Sequence, residues 1–164
     1  MDYSKKVHSV PNICKVYFDF TGKSLALNPN QPSFIDTILS NGLVKETYFH
    51  KTSVQFTETS SEGVAGIKYE QTFSITFNSN DAKRYQRIHD LHKVNHIIIQ
   101  LTNGEHLVFG RNDYFQNKKP ICTTSNTHVK TSAEFYCESI IPISKYLGNV
   151  LVGLPGIIPL DFIN

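Results

Sequence analysis

The chain has 164 residues, the length of one ordinary domain and enough to bury a single core without disulfide or metal support. Sixteen Lys and Arg against fourteen Asp and Glu leave a net charge of +2 with His neutral, which excludes a protein that lives on phosphate contacts. Charged residues make up 18%, against about 25% in an average soluble domain, and the wealth of Asn, Ser, Thr, β-branched and aromatic residues favours strands.

The start MDYSKKVHSV lacks the apolar core of a signal peptide, and no run of about 18 apolar residues follows, so a soluble protein made and used in a cytoplasm is expected. In chain order, the first strand expectation is Ile13 to Phe20, where Val16, Phe18 and Phe20 alternate with Lys15, Tyr17 and Asp19. One apolar face suggests pairing at a sheet edge or between subunits. The stretch TGKSLALNPNQPSF reads as a loop or extended arm, with a short helical turn from Ile35 to Leu39.

Between Val44 and Phe77, KETYFHKTSVQFTET and IKYEQTFSITF flank SSEGVAG, the pattern of a long β-hairpin with a flexible loop turned by Gly63 and Gly66. Tyr69, Gln71, Phe73, Ile75 and Phe77 share one face of its second arm, and Glu70, Thr72, Ser74 and Thr76 the other. Ser79 or Asn80 caps a helix from Asp81 to about Lys93, with Ala82, Tyr85, Ile88, Leu91 and His92 on the buried stripe. Ile97–Leu101, Asn103-Gly104 and His106–Phe109 form a hairpin whose Asn-Gly pair suits a two-residue type I′ turn. Gly110 to Thr127 is irregular and polar, and Lys130 to Ile143 returns to strand with Ala133, Phe135 and Cys137 on one face. The tail YLGNVLVGLPGIIPLDFIN is apolar but broken by Gly148, Gly153, Pro155, Gly156 and Pro159, so it lies extended over its own sheet or a neighbour's.

Chemistry-bearing motifs are scarce. Thr21-Gly22-Lys23-Ser24 matches the end of a P-loop, but the glycine required five places before Gly22 is Tyr17, which leaves a turn. No G-x-S-x-G, H-E-x-x-H or G-x-G-x-x-G occurs. Cys14, Cys122 and Cys137 are too few and too widely spaced for a disulfide framework or metal knuckle and read as small buried hydrophobes. His89, His92 and His96 cluster on and after the helix but lack a third well-placed ligand, so packing or solvation outweighs a metal. Glu58, Glu62, Glu70 and Asp81 read as solvated charge. Lys83, Arg84 and Arg87 with Arg111, Lys118 and Lys119 could meet DNA phosphates or ion-pair across a subunit interface.

The order from Val44 to Ile143 carries a resemblance: a strand, a Gly-containing loop, the strand KYEQTFSITF, the helix NDAKRYQRIHDLH, the hairpin IIIQLTNGEHLVFGRNDYF, a polar loop and the strand SAEFYCESIIPI. This series resembles structural proteins of phages that infect gut Bacteroides, including crAss-like phages, in their portal-to-tail region. It is a composite pattern without an invariant catalytic motif. The resemblance implies a mainly β fold, an antiparallel β-sandwich or small barrel of tail-tube-like kind, with one flanking α-helix and extended terminal arms.

It also implies a late virion protein, a ring or tube segment of the tail or head-to-tail connector, working by assembly and not catalysis. Its partners would be copies of itself in a cyclic ring, neighbouring portal, ring or tail proteins, and passing genomic DNA without sequence-specific binding, with no membrane and no cofactor or metal. The chain then divides into a β-rich domain over 1–145 and an apolar arm over 146–164. Interface residues are expected at Ser61, Glu62, Gly63, Val64 and Gly66 in the loop and at Leu151, Leu154, Ile157, Ile158 and Phe162 in the tail. Deletion after Lys145 should leave a folded domain that no longer assembles. A monomeric binding module, or a hydrolase using His89, His92 and a distant acid, are the alternatives.

Overall fold

The computed structural model describes residues 12–25, 27, 30, 35–36, 38–39, 44–49, 53–78 and 82–146. Its elements are strands β1 (Ile13–Asp19), β2 (Lys23–Ser24), β3 (Ile35–Asp36), β4 (Ile38–Leu39), β5 (Val44–Thr47), β6 (Gln55–Gly63) and β7 (Gly66–Asn78), then helix α1 (Arg84–Leu91). After it come β8 (His96–Leu101), β9 (His106–Phe109), a 3₁₀ turn at Asp113–Phe115, β10 (Ile121–Asn126), β11 (Lys130–Ser139) and β12 (Ser144–Tyr146).

The fold is mainly β, with two sheets facing each other as a sandwich and one α-helix among the described residues. One sheet runs β3-β12-β9-β8-β1-β5 and the other β10-β11-β7-β6, with a small β2-β4 pair beside them. All pairings are antiparallel except β12 with β3. Among the described residues neither sheet closes into a barrel.

The alternation expected in β7 and β11 is present. Phe73, Ile75 and Phe77 with Ala133, Phe135 and Cys137 are buried, and they meet Val16, Phe18, Ile97, Ile99 and Phe109 from the six-stranded sheet. Aromatic rings bridge the layers, with Phe18 and Phe135 centroids 6.0 Å apart and Phe73 and Phe109 5.9 Å apart, distances at which offset and tilted ring pairs attract.

Several expectations are corrected. Strand β1 is not an edge: it lies between β8 and β5, and Tyr17 and Asp19 are buried on the face opposite to Val16 and Phe18. Tyr17 packs there with Ile98 and Val108, against Val44 and Tyr146. Residues 35–36 and 38–39 are short strands and not a helical turn. The segment from Val44 to Phe77 is not one hairpin, because β5 joins β1 while β6 pairs β7. The expected long loop is also absent; Gly63 pairs Gly66, leaving only Val64 and Ala65 between the arms.

Helix α1 is shorter than expected, and Ser79, Asn80 and Asp81 lie outside the described residues. Its inward face is rotated: Leu91 is buried and Ile88 half-buried, whereas Ala82, Tyr85 and His92 are exposed. Arg87 takes the place expected of Tyr85, stacking 5.2 Å from the Phe77 ring and donating to the Asn78 carbonyl at 3.3 Å. A guanidinium can lie over the face of a ring while its edge stays wet, which a tally of apolar residues does not register.

The β8–β9 hairpin forms, but not with a two-residue type I′ turn. Only Gly104 takes positive φ, at +84°; the Gly104 N–H donates to the Leu101 carbonyl and the Leu101 N–H to the Glu105 carbonyl, a turn closed by a glycine bulge. The Asn103 side chain explains the choice, accepting from the Glu105 N–H at 3.0 Å. The region read as irregular holds β10, whose polar sequence ICTTSN hides a strand that is half-exposed along its length. Strand β11 stops at Ser139, short of Ile143.

Candidate functional site

Two features of the described structure carry chemistry or recognition. The first is the open four-stranded sheet. Strand β6 forms one edge over nine residues and β10 the other over six. The β6–β7 hairpin overhangs its neighbour, since β11 pairs β7 only as far as Ser139 opposite Tyr69, while β6 and β7 continue to Gly63 and Gly66. Of the expected interface residues, Ser61, Glu62 and Gly63 end β6, Val64 sits in the turn and Gly66 opens β7 with φ +113°. All five are exposed, with Val64 fully so, and Ile67 beside them is half exposed. The other expected residues, Leu151, Leu154, Ile157, Ile158 and Phe162, lie outside the described residues.

The hairpin is braced where it joins the sandwich. Gln71 is buried and donates to Glu58 Oε2 at 2.8 Å, while the same carboxylate oxygen accepts from the Ile143 N–H at 2.7 Å. Glu58 therefore ties the hairpin to the segment leading into β12, where solvated charge was expected. At the overhang, Lys68 pairs with Glu70 at 2.7 Å and Glu138 at 3.5 Å. Glu70, through its hydrogen bond, raises the lysine above its ordinary value.

The second feature joins three residues that the sequence analysis had separated. Asp19 and His96 are cross-strand partners at the ends of β1 and β8, so their side chains stand on the same face. His96 Nδ1 lies 3.3 Å from Asp19 Oδ2, and Ser24 Oγ lies 2.9 Å from His96 Nε2. Asp19 is fully buried and His96 almost so. The Thr21 N–H donates to Asp19 Oδ1 at 3.2 Å, and Asn95 holds the intervening turn through the Phe20 and Gly22 carbonyls at 3.1 and 3.2 Å.

Metal binding by His89, His92 and His96 gains no support from the geometry. His89 and His92 are exposed, His96 turns to Asp19 and Ser24, and no group of three ligating residues occurs among the described residues. The basic cluster is likewise dispersed. Arg111 is buried, pairing with Asp113 at 3.0 Å and donating to the Leu25 carbonyl, Lys119 donates to the His92 carbonyl, and Arg87 covers Phe77. Asp113 in turn accepts from Ser139 Oγ and the Ile140 N–H at 3.1 Å each, anchoring the end of β11.

The expectation of three buried thiols holds in one case. Cys137 is buried and its thiol is pushed up to about 12 by desolvation; Cys122 is half-buried and pushed up to about 11 for the same reason; Cys14 is exposed. No helix among the described residues is long and apolar enough to cross a membrane. Searches of protein families, curated proteins and solved structures find no match to this chain.

Proposed function

We propose that the chain is a structural subunit of a phage virion, forming a ring or tube segment in the head-to-tail connector or tail. The observation that supports this best is the four-stranded sheet, which among the described residues is left open at two unlike edges, with the β6–β7 hairpin extending past its neighbour. An open strand edge presents unpaired N–H and C=O groups, and a long one without proline or lysine invites another strand. Strand β6 (QFTETSSEG) has neither residue. Joining β6 of one copy to the different edge of the next is a heterologous contact, and repetition with closure gives a ring. The resemblance of its element order to structural proteins of Bacteroides phages points to the same reading.

The outward face of this sheet suits a conduit. Thr72, Ser74 and Thr76 of β7 lie opposite Tyr136, Glu134 and Ser132 of β11, and Thr76 and Ser132 hydroxyls are 3.2 Å apart. A hydroxyl-rich face with little positive charge releases few counterions from DNA and so lets it slide. In the virion the partners would be further copies, adjoining portal, ring or tail proteins, and the passing genome; before assembly the subunit would reside in the host cytoplasm.

The test is the mass of the full chain by light scattering over a range of concentrations, beside a Val64→Asp/Ile67→Asp variant. Both positions are exposed, so the variant should keep its fold. A closed oligomer of one size that the variant loses supports the reading. A wild-type monomer at every concentration favours the monomeric binding module instead.

A further inference from the structure

Asp19, His96 and Ser24 stand in one hydrogen-bonded row. With Asp19 ionised its carboxylate only accepts, and the 3.3 Å contact to Oδ2 then calls for a hydrogen on His96 Nδ1. In the neutral ring the Nε2 lone pair then faces Ser24, and the hydroxyl donates across 2.9 Å. Nucleophile, base and orienting acid thus follow one another at hydrogen-bond distance, the arrangement that activates a serine hydroxyl.

The surroundings fix this geometry. A Cβ on Gly110, which has φ +123°, would stand 2.7 Å from the Asn95 carbonyl oxygen and 3.0 Å from His96 Cα, so only glycine lets this segment lie against His96. Ser24 is only partly buried and opens on a cleft of about 370 Å³, which Lys23, Gln116, Asn117 and Lys119 also line. The cleft offers amides and ammonium groups to a polar or anionic substrate, and its volume suits a small one.

We infer that Ser24 is an activated nucleophile for acyl transfer, with His96 as its general base, Asp19 as the positioning residue, and a small polar carboxylic ester as substrate. Ser24 Oγ bonds to the carbonyl carbon while its proton passes to His96 Nε2. The carbon–oxygen bond to the leaving alcohol breaks, and the alcohol takes that proton. Water then adds to the acyl carbon, giving its proton to His96, and the acid departs as Ser24 Oγ recovers the proton. This inference stands independently of the assembly reading.

The experiment treats the full chain with a fluorophosphonate, which forms an Oγ–phosphorus bond with loss of fluoride, and locates the adduct by peptide mass. The expected result is a single adduct at Ser24 in the folded wild type, absent after unfolding in urea. Hydrolysis of p-nitrophenyl acetate should fall at least about tenfold in Ser24→Ala, a conservative bound for removing a nucleophile and its base-assisted step. His96→Gln should lose the adduct as well; because His96 is buried, the folded-against-unfolded comparison on the wild type answers the same question should that variant not fold. No adduct at Ser24 in the folded chain, equal labelling when unfolded, or turnover unchanged in Ser24→Ala overturns the inference.

Discussion

A Cβ placed on Gly22 would lie 1.8 Å from Asp19 Oδ2, so the carboxylate that orients His96 fills the space a side chain at residue 22 would need. Asp19 cannot simply swing away, because it is fully buried and held by the Thr21 N–H and by His96. Gly22→Ala should therefore cost about 1–3 kcal/mol, the usual range for overpacking, and displace the Asp19 carboxylate from His96. Urea unfolding measures the first effect, and an unchanged midpoint would show that the turn yields freely.

The sandwich depends on rings that cross it. Phe73 is fully buried and lies within 6.3 Å of the Phe135 centroid and 5.9 Å of the Phe109 centroid. Phe73→Ala should destabilise by about 3–5 kcal/mol, enough to unfold much of a marginally stable domain. Tyr85 is the control: at 88% exposed it should change stability by less than about 0.5 kcal/mol on conversion to Ala. Thermal melts of the two variants side by side check both values.

The three thiols should separate by reactivity. Cys14 is exposed and should react with a disulfide reagent at pH 8 within the mixing period, Cys122 slowly, and Cys137 only on unfolding. Burial holds Cys137 near 12 against an ordinary value of 9.0, so the native state keeps the proton where the unfolded state releases it. Its contribution to stability is therefore whole below pH 9 and is lost as pH rises from 9 towards 12. Cys137→Ala should show a weaker alkaline loss of stability than the wild type, read from melting temperatures across that window.

Strand β12 moves the boundary at which the tail can be cut. Tyr146 is its last residue and packs with Tyr17, Ile98 and Val108, so truncation after Lys145 removes part of the fold along with the tail. Truncation after Tyr146 should keep the wild-type melting temperature within a few degrees, since it leaves Tyr17, Ile98, Val108, Val44 and Tyr146 in place, whereas truncation after Lys145 should melt lower. Light scattering of the longer truncation then reports on assembly alone: loss of the oligomer assigns the contact to residues 147–164, and an unchanged mass assigns it elsewhere.

The sequence by itself determined the β-rich class, the helix before β8, and the strands buried on one face only. From Phe73 to Phe77 in β7 and from Ala133 to Cys137 in β11 every second residue is apolar, and a pleated strand with one wet face turns that alternation directly into burial. Where two faces are buried the rule loses its signal. Tyr17 and Asp19 alternate as though solvated, yet both are buried, Tyr17 among Ile98, Val108, Val44 and Tyr146 from other strands of its own sheet and Asp19 against His96, all distant in the chain.

Tertiary structure alone decided the rest. Nothing local tells β6 to leave β5 and pair with β7, or turns Arg87 and not Tyr85 onto the sheet. The Asp19, His96 and Ser24 chain was legible only as fragments, a polar strand residue, one histidine of a loose cluster and the last residue of a failed P-loop. His96 lies 77 residues from Asp19 and 72 from Ser24; the register of β1 against β8 brings it to Asp19, and Ser24 reaches it from β2 in a separate pair of strands. Burying polar groups is costly unless they find partners, and in a sheet those partners are chosen by cross-strand register, a quantity fixed by the whole sandwich and not by any one segment.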